Sequence, residues 1–116
     1  MNRGRVLVIE DEPMVQLLIE DICDIADCEV VGMVDNVADA THFIGQGGFN
    51  AVILDVNLMG ETSETLADLL TERGKRVIVT SGNSFEDLPV CYHCFTFVNK
   101  PFMPSEIMQL LKQVAF

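Results

Sequence analysis

A chain of 116 residues with 49% hydrophobic side chains has material for one packed core and little for a second. Its 18 acidic residues against 7 basic ones leave a net charge of −11, which argues against nucleic acid as a partner and fits a metal ion or a basic protein surface. No export pattern opens the chain, because the apolar run over residues 6–9 stops at Glu10, Asp11 and Glu12. No stretch nears the roughly 20 apolar residues that span a bilayer, so a cytoplasmic place is expected, with no membrane contact.

Short apolar runs alternate with longer amphipathic ones, the pattern of a parallel sheet wrapped by helices. Residues 6–9 read as a buried strand. After Pro13, which suits a first helical turn, Val15, Leu18, Ile19, Ile22, Ile25 and Ala26 recur at helical spacing. A second strand is expected over residues 29–34. A second helix is marked by Val37, Ala40, Phe43 and Ile44 and closed by the glycines at 45, 47 and 48. The third strand, residues 51–54, runs into Asp55. A third helix shows Leu66, Leu69 and Leu70 on its apolar face and stops near Gly74. Residues 76–80 make the fourth strand. Residues 83–88 allow a turn or two of helix before Pro89 interrupts, and residues 95–98 form the fifth strand. A final helix over 104–114 turns Ile107, Leu110 and Leu111 inward. No repeat or linker divides the chain, so one domain over residues 1–116 is expected, with no output domain after it.

Cys23, Cys28, Cys91 and Cys94 read as reduced thiols, some of them buried as small hydrophobes. Cys91 and Cys94 have CxxC spacing, with His93 between them, but a structural zinc site needs further ligands at matching spacing.

In an open parallel sheet, ligands bind beyond the carboxyl ends of the strands. The polar residues there are Glu10, Asp11 and Glu12 after the first strand and Asp55 after the third. Thr80 and Ser81 follow the fourth, and Lys100 the fifth. Clustered carboxylates repel one another unless they share a cation, and an oxygen-only set suits Mg²⁺. A carboxylate nucleophile can accept a phosphoryl group, a step that needs mainly positioning and charge stabilisation from a metal, a lysine and a hydroxyl. Each residue alone has an ordinary explanation: a capping aspartate, a solvated acidic loop, a surface lysine, a β-favoured threonine. The ordered set at successive strand ends is what points to chemistry.

The segments VLVIEDEP (6–13), AVILDVNL (51–58), VIVTSG (77–82) and FVNKPF (97–102) resemble, in order and spacing, the receiver domain of two-component response regulators. The resemblance covers nearly the whole chain. It implies a flavodoxin-like, doubly wound (βα)5 α/β fold: a five-stranded parallel sheet with helices on both faces. It also implies that Asp55 is the phosphoacceptor, that Glu10, Asp11, Asp55 and the Asn57 carbonyl hold Mg²⁺, and that Thr80 and Lys100 meet the phosphoryl group. By the same resemblance Phe97 takes the place of a switching aromatic that is often Tyr, and a cis Lys100–Pro101 bond is expected. The implied partners are a histidine kinase or phosphotransfer protein and an unidentified downstream protein, with the chain a monomer or weak dimer. Only self-phosphorylation and autodephosphorylation are expected of it as chemistry.

Two departures from the family pattern stand out. The loop after Asp55 reads Leu58-Met59-Gly60-Glu61 where receivers usually carry Pro, which predicts a looser loop. The stretch 82–95 is unlike a regular fourth helix. A receiver cut from a hybrid kinase would read the same way. An aspartate-dependent phosphatase would want a second carboxylate two residues after Asp55, where this chain has Asn57. A flavin carrier would want a phosphate-cradling loop after the first strand, where this chain is acidic. A receiver that is never phosphorylated is the nearest rival.

Overall fold

The computed structural model describes residues 3–116. Five parallel strands form one sheet: β1 (Gly4–Ile9), β2 (Cys28–Val34), β3 (Ala51–Asp55), β6 (Arg76–Ser81) and β7 (Thr96–Asn99), in the order β2-β1-β3-β6-β7. Between them lie α1 (Pro13–Ile25), α2 (Val37–Gln46) and α3 (Glu64–Glu72), and α4 (Pro104–Val114) closes the chain. A two-strand hairpin, β4 (Asn57–Leu58) and β5 (Glu61–Thr62), follows the central strand. The fold class is the one that the alternating runs predict.

Strand residues point alternately to the two faces of the sheet, so each buried strand feeds two cores. Leu7, Ile9, Val52, Leu54, Val77 and Val79 pack with Ala40 and Ile44 of α2 and Leu66, Ala67 and Leu70 of α3. On the other face, Val6, Val8, Ala51, Ile53 and Ile78 pack with Ile19, Ile22 and Cys23 of α1 and Ile107 and Leu111 of α4. Helix boundaries follow local chemistry. Pro13 and Pro104 open α1 and α4, where the missing N–H costs nothing. The Asn36 side chain accepts from the Asp39 N–H at 2.8 Å to start α2.

Two features differ from expectation, and a third bears it out. Ile25 is 71% exposed at the end of α1, while Ala26, one residue on, turns inward in its place. The loop after Asp55 is a closed two-residue hairpin, not a loose connection. Met59 (φ 51°) and Gly60 (φ 82°) both take positive φ, the geometry that matches strand twist, and a methionine at such a position disguises the turn. The position of a fourth α-helix holds two single 3₁₀ turns, Phe85–Asp87 and Val90–Tyr92, separated by Pro89. This short, broken segment agrees with the reading of Pro89. It anchors itself through Leu88 and Tyr92, both buried in the α2–α3 core. The Lys100–Pro101 bond is cis.

The pairing of β1 with β2 slips between Val6 and Leu7, leaving Val31 out of register, and Gly32 sits opposite Leu7. A Cβ on Gly32 would lie 2.4 Å from the Phe43 ring and 3.1 Å from Leu7. Gly32→Ala should therefore lower stability by about 1–3 kcal/mol through overpacking. Gly45, inside α2 with open space around it, is the matched control: Gly45→Ala should raise stability by roughly 0.5–1 kcal/mol. Urea unfolding of the two variants checks both signs.

Candidate functional site

The carboxyl ends of β1, β3, β6 and β7 bring together residues far apart in the chain. β3 lies between β1 and β6, and Asp55 pairs with Thr80 across the ladder. β7 lies beyond β6 and leads directly into Lys100. The Lys100 backbone N–H donates to the Ser81 carbonyl at 2.7 Å, which fixes where its side chain starts. Asn99 adds two bonds from its Nδ2, to the carbonyls of Ser81 (3.1 Å) and Asn83 (2.9 Å).

Lys100 Nζ is the hub. It donates to Asp55 Oδ2 at 2.9 Å and Glu10 Oε1 at 3.0 Å, and Glu12 Oε1 lies 3.6 Å away. Asp55 and Glu10 are buried, while Glu12 is exposed. Burial first, then the neighbouring Asp55 charge, push the Glu10 carboxyl up to about 7, against the pull of the Glu12 N–H and of Lys100. Burial pulls the Lys100 ammonium down, but its hydrogen bonds to Asp55 and Glu10 and their charges outweigh that and raise it to about 12. Lys100 is thus a permanent cation between two carboxylates that would otherwise repel.

Asp11 is half-buried, and its Oδ2 accepts from the Met59 N–H at 2.8 Å, joining the first strand end to the hairpin. The Asn57 N–H donates to Asp55 Oδ1 at 3.2 Å. Glu10, Asp11, Glu12 and Asp55 each place a carboxylate oxygen within 4.8 Å of the others, the one such acidic or metal-ligating group among the described residues. An all-oxygen cluster of this kind suits a hard divalent cation. Thr80 is fully buried, and its Oγ1 has no hydrogen-bond partner. Such a hydroxyl costs stability unless something else satisfies it.

Six of the seven residues singled out from the sequence meet here: Glu10, Asp11, Asp55, Asn57, Thr80 and Lys100. Phe97 stands apart from the cluster. It is half-buried against the α2–α3 core, and its ring meets Phe85 edge-on at 5.6 Å. Glu12 belongs to the cluster more closely than its place in the acidic triplet indicated. Ser63, Tyr92 and Asn99, which also support the site, were not foreseen, because their roles depend on contacts 8 to 29 residues away. The CxxC pair does not join the site. Cys91 is half-buried, with its thiol pushed up by burial and by Asp68 and Glu64, and His93 Nε2 lies 2.9 Å from the Leu88 carbonyl.

A family model for the response regulator receiver domain matches residues 6–112. Among solved structures, SdrG from Sphingomonas melonis Fr1 is similar at 32% identity, with 97% of each chain covered and a TM-score of 0.83. The response regulator TrrA from Thermotoga maritima, solved in complex with Mg²⁺ and BeF, is similar at 21% identity. That match covers 95% of this chain and 97% of the other, with a TM-score of 0.82. The receiver domain of a sensor histidine kinase from Pseudomonas aeruginosa PAO1, with a magnesium ion in its active-site cleft, is similar at 18% identity. It covers 98% of both chains, with a TM-score of 0.83. The likenesses below 25% identity speak for the fold alone. A search of curated proteins found no match. No helix among the described residues is long and apolar enough to cross a membrane.

The raised Glu10 carboxyl has a consequence for the metal-free protein. Between its ordinary value of 4.5 and about 7, the folded chain holds a proton that the unfolded chain has released. Stability therefore falls as pH rises through that window. Glu10→Gln should remove the penalty, raising metal-free stability at pH 8 by on the order of 1 kcal/mol, with the gain vanishing toward pH 4.5. Thermal melts in chelator at the two pH values check this.

Proposed function

The chain belongs to the response regulator receiver family, and we propose from that premise that it works as a phosphorylation switch in two-component signalling with Asp55 as the acceptor. The observation that carries this reading is the unpartnered Thr80 hydroxyl, buried in the residue that pairs with Asp55, whose carboxylate is itself held by Lys100. An oxyanion arriving on Asp55 would give the hydroxyl its missing acceptor and Lys100 a second anion to hold.

In the proposed step an Asp55 oxygen attacks the phosphorus of a phosphohistidine on a kinase or phosphotransfer protein. A P–O bond forms, the P–N bond breaks, and the imidazole leaves on the donor. Glu10, Asp11 and Asp55, with the Asn57 carbonyl, would hold Mg²⁺, which supplies positive charge to offset the phosphoryl oxygens. Beside Lys100 a cavity of about 340 Å³, lined by Glu12, Val15, Leu18, Pro101 and Phe102, offers the donor protein an apolar seat next to the acceptor. Once loaded, Thr80 and Lys100 draw toward the new charge, Phe97 turns into the space released, and the surface around Phe85 changes shape. Such a modification biases two states of the chain. Asn57 stands where an external-substrate phosphatase would need a carboxylate, which favours a switch over an enzyme. A cytoplasmic place follows from a kinase partner.

Incubation with Mg²⁺ and acetyl phosphate should add one phosphoryl group by intact-mass spectrometry. The adduct should be absent in Asp55→Asn and in chelator, and reduced at least tenfold in Lys100→Met, which loses a charge-assisted bond worth about 1.5–3 kcal/mol. An unmodified wild type, or an Asp55→Asn protein modified to the same extent, would sink the proposal.

A further inference from the structure

We propose that Ser63 and Tyr92 position the loop carrying Asp55 and Asn57, and so tie occupancy of Asp55 to the conformation of the broken segment between β6 and β7. The inference rests on the reading of Asp55 as the acceptor.

Ser63 directly precedes α3, where a serine hydroxyl usually accepts from the first free N–H groups of the helix. Here it makes no such bond. Its Oγ instead lies 2.7 Å from the Asp55 carbonyl, 3.1 Å from the Val56 carbonyl and 3.0 Å from the Tyr92 hydroxyl, all fully buried. The proton inventory sets the direction. Carbonyls only accept, and serine has one hydroxyl hydrogen, so Ser63 donates to a carbonyl and Tyr92 must donate to Ser63. The Ser63 N–H adds a bond to the Val56 carbonyl at 2.8 Å. One residue thus holds both carbonyls at the end of β3 and closes the loop that contains Asn57. It forgoes a local cap to do so.

Tyr92 is 1% exposed, and burial first among its causes pushes its hydroxyl up to about 12, so it remains a donor at any working pH. Its neighbours bind it to the segment as a unit. The next residue, His93, stacks on Phe85 at 4.6 Å, and Phe85 meets Phe97. Movement of the Asp55 peptide changes the acceptor that Ser63 sees, and through it the bond to Tyr92. By linkage, whatever displaces Tyr92 loosens the loop that presents the acceptor. This route runs on the α2–α3 side of the sheet and does not pass through Thr80.

Tyr92 is the sole tyrosine of a chain without tryptophan, so near-ultraviolet absorbance and emission report this one hydroxyl. Beryllofluoride with Mg²⁺ should shift the tyrosine spectrum of the wild type and leave that of Asp55→Asn unchanged. Tyr92→Phe keeps the ring and removes the donor. It should bind beryllofluoride about three- to tenfold more weakly, the span of one net hydrogen bond. Ser63→Ala, which loses the bond to the Asp55 carbonyl as well, should weaken binding at least as much, and the double variant should be no weaker than Ser63→Ala alone. If the wild type binds beryllofluoride with an unchanged tyrosine spectrum, or Tyr92→Phe binds it as tightly as the wild type, the inference is overturned on its own. A wild type that takes up no beryllofluoride overturns the acceptor reading and this inference together.

Discussion

The ammonium of Lys100 between the carboxylates of Asp55 and Glu10 is the interaction on which the rest of the arrangement depends. Two acidic groups buried at neighbouring strand ends repel, and burial alone would drive one of them to hold a proton. The lysine relieves that conflict only in part, since Glu10 still titrates near neutrality. The metal-free cluster is therefore under electrostatic tension that a divalent cation would relieve, and the orphaned Thr80 hydroxyl adds a second unmet demand. A site designed only for stability would have neither feature. Both are demands that a bound cation and an oxyanion could meet.

That conflict is contained because the surrounding sheet is unambiguous. Each strand sends alternate apolar residues into two separate cores, and a slip of one residue would exchange them. The register that seats Leu54 in one core and Ile53 in the other also sets Asp55 opposite Thr80. Packing over the length of the strands therefore positions polar groups at their tips, and the site inherits its geometry from hydrophobic residues that never touch a ligand.

Legibility in the sequence followed the same division. Strands and helices were readable because their apolar periods are long enough to be distinctive, and the strand-end residues could be placed once the strands were known. What escaped notice had no period to betray it. The hairpin has two residues in each strand and a methionine at a positive φ. Ile25 fits the apolar stripe of α1 but lies on its last turn, where Ala26 takes the inward place. Ser63 carries no periodic signal; it precedes α3 without capping it and serves the loop, with a tyrosine 29 residues away as its partner. Pro89 announced an interrupted helix, yet nothing local showed that Leu88 and Tyr92 would anchor the pieces.

The Lys100–Glu10 contact joins residues 90 positions apart, and β7, the strand that delivers the lysine, lies at the sheet edge and among the described residues pairs with β6 alone. A nascent chain emerging from its N-terminus can assemble β1, β2 and β3, carboxylates included, before that lysine has been made. Until the last strand docks, the acidic groups lack the lysine that pairs with them in the folded chain. Contacts of such long separation form late because the loop they close is large. The cluster around Asp55 is therefore complete only when the fold is, and a copy that lacked the last strand would leave its buried carboxylates without Lys100.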